Sequence, residues 1–356
     1  MGRYLEDTDH ELNGLILSID PSWDICSEEA PEPYRSIMHY SHILTIPIYI
    51  LAIFLIIYKS PKALQSYRKY LLWHTMGNLI FEVFISLFML PMTYLPYPVF
   101  RGTGLFKYFN FSGLFQFYLL VVLTCQTCFC IFEMFKYRFD VVGIENKKSR
   151  IVFKVLIFSL RFLTFLLPIF GFGTLPRCVK KQNIYKMNLR NHIQSIPLPI
   201  FCHGSILAPP LLDPVFTPLM IMISLIIGLT IIALPQVTKT ILNRLDELSR
   251  QLSNRTIQLQ KMLMISLFFQ TTIHATMLSV PMSGFVYTVV FGMNKDWIAY
   301  CLILLISFHG SFSTIAMIFF TKPYRFAIQS FIRSRERETI IVPHIYTVRC
   351  NESIPL

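Results

Sequence analysis

Seven separated apolar runs, at about 38–58, 71–95, 109–135, 151–172, 215–234, 262–290 and 298–320, constrain this chain more than any other feature. Each is about as long as the roughly 20 residues that a helix needs to cross the hydrocarbon core of a bilayer. No water reaches that core, so a single spanning segment satisfies its backbone N–H and C=O groups only by forming a helix. The fold class that follows is an all-α membrane protein. A seven-transmembrane helix bundle occupies 38–320, with an N-terminal segment over 1–37 and a tail over 321–356. Pro47, Pro91, Pro168, Pro218 and Pro281 fall within the runs, where neighbouring helices or water satisfy the carbonyls that they free. Only 15% of the residues are charged, against roughly 25% in soluble domains.

The placement of the charge orients the bundle. A net charge of +12 would suit nucleic acid if the basic residues were gathered on a soluble face among aromatics, but here they lie between the apolar runs. Alternate connections are rich in them: Lys59 to Lys69, Lys136 to Arg150, Lys239 to Lys261, and Lys322 onward. Basic connections stay in the cytosol, which puts the N-terminus outside and the C-terminus inside. The loop over 174–214 is basic and predicted outside, but long loops follow this rule weakly. The first 36 residues are acidic and hold no long apolar core, so no cleavable signal peptide is read and the first span serves as the targeting signal. Leucines at three-to-four spacing from Leu242 to Leu259 carry helices five and six into the cytosol, and Tyr324, Ile328, Phe331 and Ile332 predict a short interfacial helix over 324–333.

Ionisable groups inside a bilayer are costly and each needs a reason. Glu82, near the middle of the second span, and Arg161, near the middle of the fourth, are read as an intramembrane pair. Glu133 and Arg138 flank the inner boundary beside Lys136. His274 and His309 lie near mid-membrane on adjacent spans, and Gln116 and Tyr287 in the outer halves of theirs; these four are the candidate ligand contacts. The last span has no mid-membrane lysine, which argues against a retinal Schiff base. Cys125, Cys128 and Cys130 lack the converging fourth ligand that zinc wants and read as packing residues, so no metal is expected. Of the outer cysteines, Cys178 and Cys202 are the first choice for a disulfide, with Cys26 paired to either as the alternative. The sequons at Asn254 and Asn351 are predicted cytosolic, and that at Asn110 lies at the membrane edge. No catalytic constellation appears, so neither an enzyme nor a cofactor is expected.

Several stretches carry a family resemblance: Ile46-Pro47-Ile48, Lys59-Ser60-Pro61-Lys62, Leu71-Leu72-Trp73-His74, Gln258 to Leu263, Ser307 to Thr314 with its His309-Gly310, and Lys322-Pro323-Tyr324-Arg325. From about Met38 to Arg325 the chain resembles the nematode serpentine chemoreceptors, most closely class H. The resemblance implies a G-protein-coupled chemosensory receptor in the plasma membrane of a sensory neuron, at its cilium. Its partners would be an odorant-like small molecule and a heterotrimeric G protein, besides membrane lipid. Glu133, Lys136, Arg138, Arg255, Lys261, Lys322, Pro323, Tyr324 and Arg325 then form the coupling face. Where relatives carry Phe-Glu-Asn-Arg at the inner end of the third span, this chain reads Phe132-Glu133-Met134-Phe135-Lys136-Tyr137-Arg138, with the acid and arginine at a different spacing. A ligand-gated ion channel of odorant-receptor type or a small-molecule transporter is the alternative. The channel would put the N-terminus inside, and the transporter would show internal repeats, which are not found.

Overall fold

A computed structural model describes residues 29–333, less 62–63, 110, 144–146, 193–196, 203, 209–212, 215, 249–252 and 294. Seven long helices dominate it: α1 (Glu32–Tyr58), α2 (Gln65–Val83), α3 (Gly113–Val142), α4 (Lys147–His192), α5 (Phe216–Glu247), α6 (Asn254–Val290) and α7 (Asp296–Phe320). All seven contain a stretch long and apolar enough to cross a membrane. Their outer surface says the same, since Leu44 is 73% and Phe158 70% exposed, and lipid is the medium that covers such a belt at no cost. Local chemistry sets several ends. Ser112 and Ser253 cap α3 and α6, their hydroxyls accepting from the N–H groups of Phe115 and Thr256, and Gly143, at φ +62°, closes α3 in the left-handed region.

Past Val83, α2 widens into a π-helical turn, Phe84–Met89, and stops short of the Leu95 expected from hydropathy. Pro91 is the reason. Proline disfavours the helical region at the residue before it, and Leu90 turns to φ +40°, a strained value for leucine. Thr103 holds that corner, donating from its N–H and its hydroxyl to the Leu90 carbonyl at 3.1 and 2.8 Å. The chain then forms β1 (Pro91–Thr93) and β2 (Val99–Gly102), and β3 (Ser205–Leu207) completes a three-stranded antiparallel sheet in the order β1-β2-β3. Pro91 faces Gly102 across the first pair and Phe100 faces Ile206 across the second.

The second departure from the sequence reading is α4. Expected to end near Phe172, it runs on to His192, a helix of 46 residues and about 70 Å, more than twice the roughly 30 Å of a hydrocarbon core. Tertiary bonds hold the extension. Gln182 donates its amide to the Leu207 carbonyl at 3.0 Å and accepts from the Leu207 N–H at 2.9 Å, so one side chain covers the edge of β3 as a neighbouring strand would. Asp213 accepts from Lys181 at 2.8 Å and from the Tyr185 hydroxyl, and Lys186 reaches the Cys202 carbonyl at 3.0 Å. The predicted Cys178–Cys202 disulfide is not formed. Cys178 is free while Cys202 is disulfide-bonded. Lys186, two helical turns and about 12 Å further along α4, is the residue that meets Cys202, which leaves Cys178 beyond disulfide reach. Cys26, the alternative partner, lies outside the described residues.

The described chain enters beside the sheet and leaves at the opposite end of the bundle. At the entry, the Tyr34 hydroxyl donates to the Pro91 carbonyl at 2.9 Å and its ring stacks on Tyr300. At the exit, residues 322–333 form a further helix, α8, pinned by Tyr324, whose hydroxyl lies 2.9 Å from that of Ser60.

Burial lowers the Lys186 amine from the usual 10.5 to about 8. Between those two values the unfolded chain holds a proton that the folded chain has given up, so Lys186 makes stability rise with pH across that window. Thermal unfolding followed from pH 8 to 10.5 should show this rise in the native protein and a flatter profile in Lys186→Met.

Candidate functional site

Polar side chains cross between helices at three depths. In the middle, α2 presents His74 and Asn78 one turn apart, α6 presents His274, and α7 presents His309 and Ser313, all buried. The Asn78 amide lies 3.3 Å from His74 Nε2 and 3.2 Å from His274 Nε2, while His74 Nε2 is also 3.4 Å from the Ser313 hydroxyl. The Nδ1 atoms of His274 and His309 donate to backbone carbonyls on their own helices, Gln270 at 2.9 Å and Ile306 at 2.6 Å. The imidazoles of His274 and His309 sit 4.8 Å apart, edge to face. Two of the four predicted ligand contacts are thus brought together, joined by His74 and Asn78, which the sequence reading passed over although their four-residue spacing puts them on one helix face. The cluster depends on close approach. A Cβ at Gly310 would lie 2.7 Å from the Tyr49 hydroxyl and 2.8 Å from the Asn78 Cβ, so even alanine there forces α7 away from α1 and α2, at a cost of roughly 1–3 kcal/mol.

Glu82 and Arg161 do not pair. Glu82 Oε2 accepts from the hydroxyls of Tyr49 on α1 at 3.0 Å and Ser311 on α7 at 2.5 Å. Arg161 is salt-bridged to Glu133 on α3, with Nε and Nη2 both directed at Oε1. The reason is adjacency, for among the described residues α4 packs chiefly on α3 and α5. Glu133 lies nine residues from the end of α3 at Val142, within reach of an arginine extending along α4.

At the end opposite the sheet, Arg138 is the hub. Its guanidinium lies 3.8 Å over the Tyr67 ring of α2, and Nη1 donates to Gln260 Oε1 of α6 at 2.5 Å. Among the described residues its Nε and Nη2 have no hydrogen-bond partner. The acid and arginine that the sequence placed together therefore have different partners, one on α4 and the other on α2 and α6. Around the hub, Lys136 is 4.0 Å from Asp140, Lys261 pairs with Asp246, and the Lys322 N–H meets Met262 Sδ at 2.9 Å. Pro323 lies in the first turn of α8, and Arg325 lies over the Phe319 ring at 5.5 Å. Tyr324 is fully buried, so it anchors α8 and presents no surface to a partner. Of Arg255 only the backbone is described, in the first turn of α6.

Near the sheet, Gln116 is buried beneath β2, where a Cβ on Gly102 would lie 2.0 Å from its amide oxygen, and its Nε2 donates to the Phe111 carbonyl at 3.1 Å. Tyr287 is 54% exposed, its ring 4.4 Å from Phe291. The structure brings neither to the histidine cluster. Among the described residues no group of three or more His, Cys, Asp and Glu side chains converges as a metal site, and Cys125, Cys128 and Cys130 are free.

Removing one member of a desolvated ion pair strands the other, so Glu133→Gln should lower stability by about 2 kcal/mol or more, somewhat less than for a fully buried pair because Arg161 is one-third exposed. Thermal unfolding in detergent checks it, with Glu133→Gln/Arg161→Gln expected to recover part of the loss.

A family model described as serpentine type 7TM GPCR chemoreceptor Srh matches residues 29–334. No curated protein and no solved structure matches the chain. The match runs from the approach to α1 through all seven spanning helices to the end of α8, and the chain belongs to the Srh family of serpentine seven-transmembrane chemoreceptors.

Proposed function

We propose that this receptor detects an external small molecule and signals to a heterotrimeric G protein, with the sheet end outside the cell and the Arg138 end in the cytosol. The basic residues of alternate connections support that orientation. By family likeness the membrane is the plasma membrane of a sensory neuron, at its cilium.

The observation that carries the mechanism is the Arg138 clamp between α2, α3 and α6. A hydrogen bond to a charged donor contributes about 1.5–3 kcal/mol and a guanidinium over a tyrosine about 0.5–2. Among the described residues no carboxylate strengthens the clamp, because Glu133 is engaged by Arg161. A closure worth only a few kcal/mol is one that a ligand's differential affinity for two arrangements can reverse. Opening it frees the guanidinium and separates the inner ends of α3 and α6. The face then offered to the G protein holds Arg138, Lys136, Arg255, Lys261, Lys322 and Arg325, with Glu133, Pro323 and Tyr324 supporting it from beneath. The ligand enters from the sheet end, past Gln116 and Tyr287. His274 and His309 tie α6 to α2 and α7 and relay the change inward.

In cells carrying a second-messenger reporter and challenged with an odorant panel, Gln260→Ala should raise ligand-independent signalling by about tenfold, the effect of losing about 1.4 kcal/mol of closure. Arg138→Ala should abolish the stimulated response at unchanged surface level. Responses that persist with every G-protein class blocked would overturn the coupling mechanism. An N-terminal tag hidden on intact cells would overturn the orientation.

A further inference from the structure

Between α5 and α6, on the side of the bundle away from its core, lies a groove of about 300 Å³ whose walls include Pro235, Lys239, Leu242 and Asn243 on α5, with Ile265 and Phe268 on α6. Its direction follows from burial. Leu234, Val237, Ile241 and Leu245 form the packed face of α5, and Leu263, Met264 and Leu267 that of α6. Pro235, Lys239, Asn243 and Ile265 lie on the opposite, exposed faces. The groove therefore opens sideways, into whatever surrounds the bundle, and for a spanning helix that is lipid.

Its depth is set by α5. The apolar run ends at Leu234, and Lys239 lies five residues and about 7.5 Å beyond it, at headgroup level. Below the headgroups the walls are Pro235, Ile265 and Phe268, together with Thr238, whose hydroxyl is turned to the Leu234 carbonyl at 2.8 Å. Lys239 and Asn243 stand one turn apart at the polar end, as a cation and an amide facing the same way. The other cations nearby are engaged, Lys261 by Asp246 and Arg244 by Glu247, whereas Lys239 has no ion-pair partner among the described residues. An apolar trough ending in a free cation at the membrane boundary is complementary to an anion with an apolar tail.

We propose that this groove is a binding site for one anionic glycerophospholipid of the cytosolic leaflet, an acyl chain lying along Pro235, Ile265 and Phe268 and the phosphate on Lys239 and Asn243. The site rests on the orientation proposed above for its leaflet, but not for its chemistry. It lies against α6, one of the two helices whose inner ends separate when Arg138 releases Gln260, so a lipid seated between α5 and α6 bears on the position of α6 and acts on the same equilibrium.

The test uses the full-length receptor in nanodiscs of mixed phosphatidylcholine and phosphatidylserine, extracted into detergent, with the retained lipid identified by native mass spectrometry. Phosphatidylserine should be retained over phosphatidylcholine, and Lys239→Glu should reduce that preference by about fivefold or more. Lys147→Glu, the same charge change on exposed α4, should leave it intact. Asn243→Trp, which fills the trough without changing charge, should lose both lipids. Equal retention by Lys239→Glu and the native protein would overturn the site, as would an equal loss in Lys147→Glu. A nanodisc presents phosphatidylserine on both faces, so failure here is distinguishable from an error of orientation, which the N-terminal tag reads separately.

Discussion

Lipid is as apolar as the side chains of this bundle, so burying leucine against leucine does little to decide which helices touch. Close packing and bonds between polar groups decide it instead. The chain supplies both in the same places. Gly310 lets α7 come against α1 and α2, and that approach puts Ser311 and Tyr49 on Glu82 and gathers the histidines with Asn78. A polar group left without a partner in hydrocarbon costs several kcal/mol, so each contact selects a helix arrangement more strongly than its own bond energy suggests.

The three depths differ in what they can do. The sheet end is a fixed cap, where α4 outruns the membrane and bonds β3 through both ends of the Gln182 amide, and Asp213 accepts from Lys181 and Tyr185. The middle is a network shared by α2, α6 and α7. At the far end, among the described residues, the Arg138 guanidinium ties α3 to α6 through its hydrogen bond to Gln260 and to α2 through the Tyr67 ring, with the Tyr137 ring of its own helix 5.8 Å away. The link between α3 and α6 is thus the part proposed to open toward a cytosolic protein. The groove beside Lys239 lies at that same end.

Hydropathy made the seven spans legible because their period and length answer to one physical demand, that of crossing lipid. What it could not reveal was settled by neighbours. Lys180, Lys181 and Arg190 make the α4 extension look like a polar loop, and only the docking of Gln182, Tyr185 and Lys186 on the strand and its flanks explains why it stays helical. Strands of three or four residues leave too short a pattern to be seen in a chain that is otherwise apolar. Glu82 and Arg161, expected to pair, find other partners, because depth along a helix does not say which helix lies alongside. The resemblance at Lys322-Pro323-Tyr324-Arg325 located the junction of α7 with α8, yet the buried Tyr324 works as an anchor, a role that residue type alone does not reveal.

The tautomers of the central network can be worked out from its acceptors. The Gln270 carbonyl can only accept, so His274 Nδ1 carries a proton, and a neutral ring then needs a donor at Nε2. Asn78 is the group there. If its oxygen faces His274, the ring must carry both protons and a charge is placed in the middle of the membrane. If its NH₂ faces His274, that ring is neutral and the amide oxygen is free to accept from His74 Nε2–H. The orientation of an amide is assigned from such a network, and the neutral arrangement pairs both ends of the Asn78 amide without a buried charge, leaving His74 Nδ1 as an acceptor with no partner among the described residues. One amide on α2 thus serves α6 with one end and its own helix with the other. Moving α6 away breaks the bond to His274 and leaves the donor on Asn78 unpaired in a dry interior. The resting packing of α6 is held by that penalty, so whatever shifts it must offer Asn78 or His274 another partner.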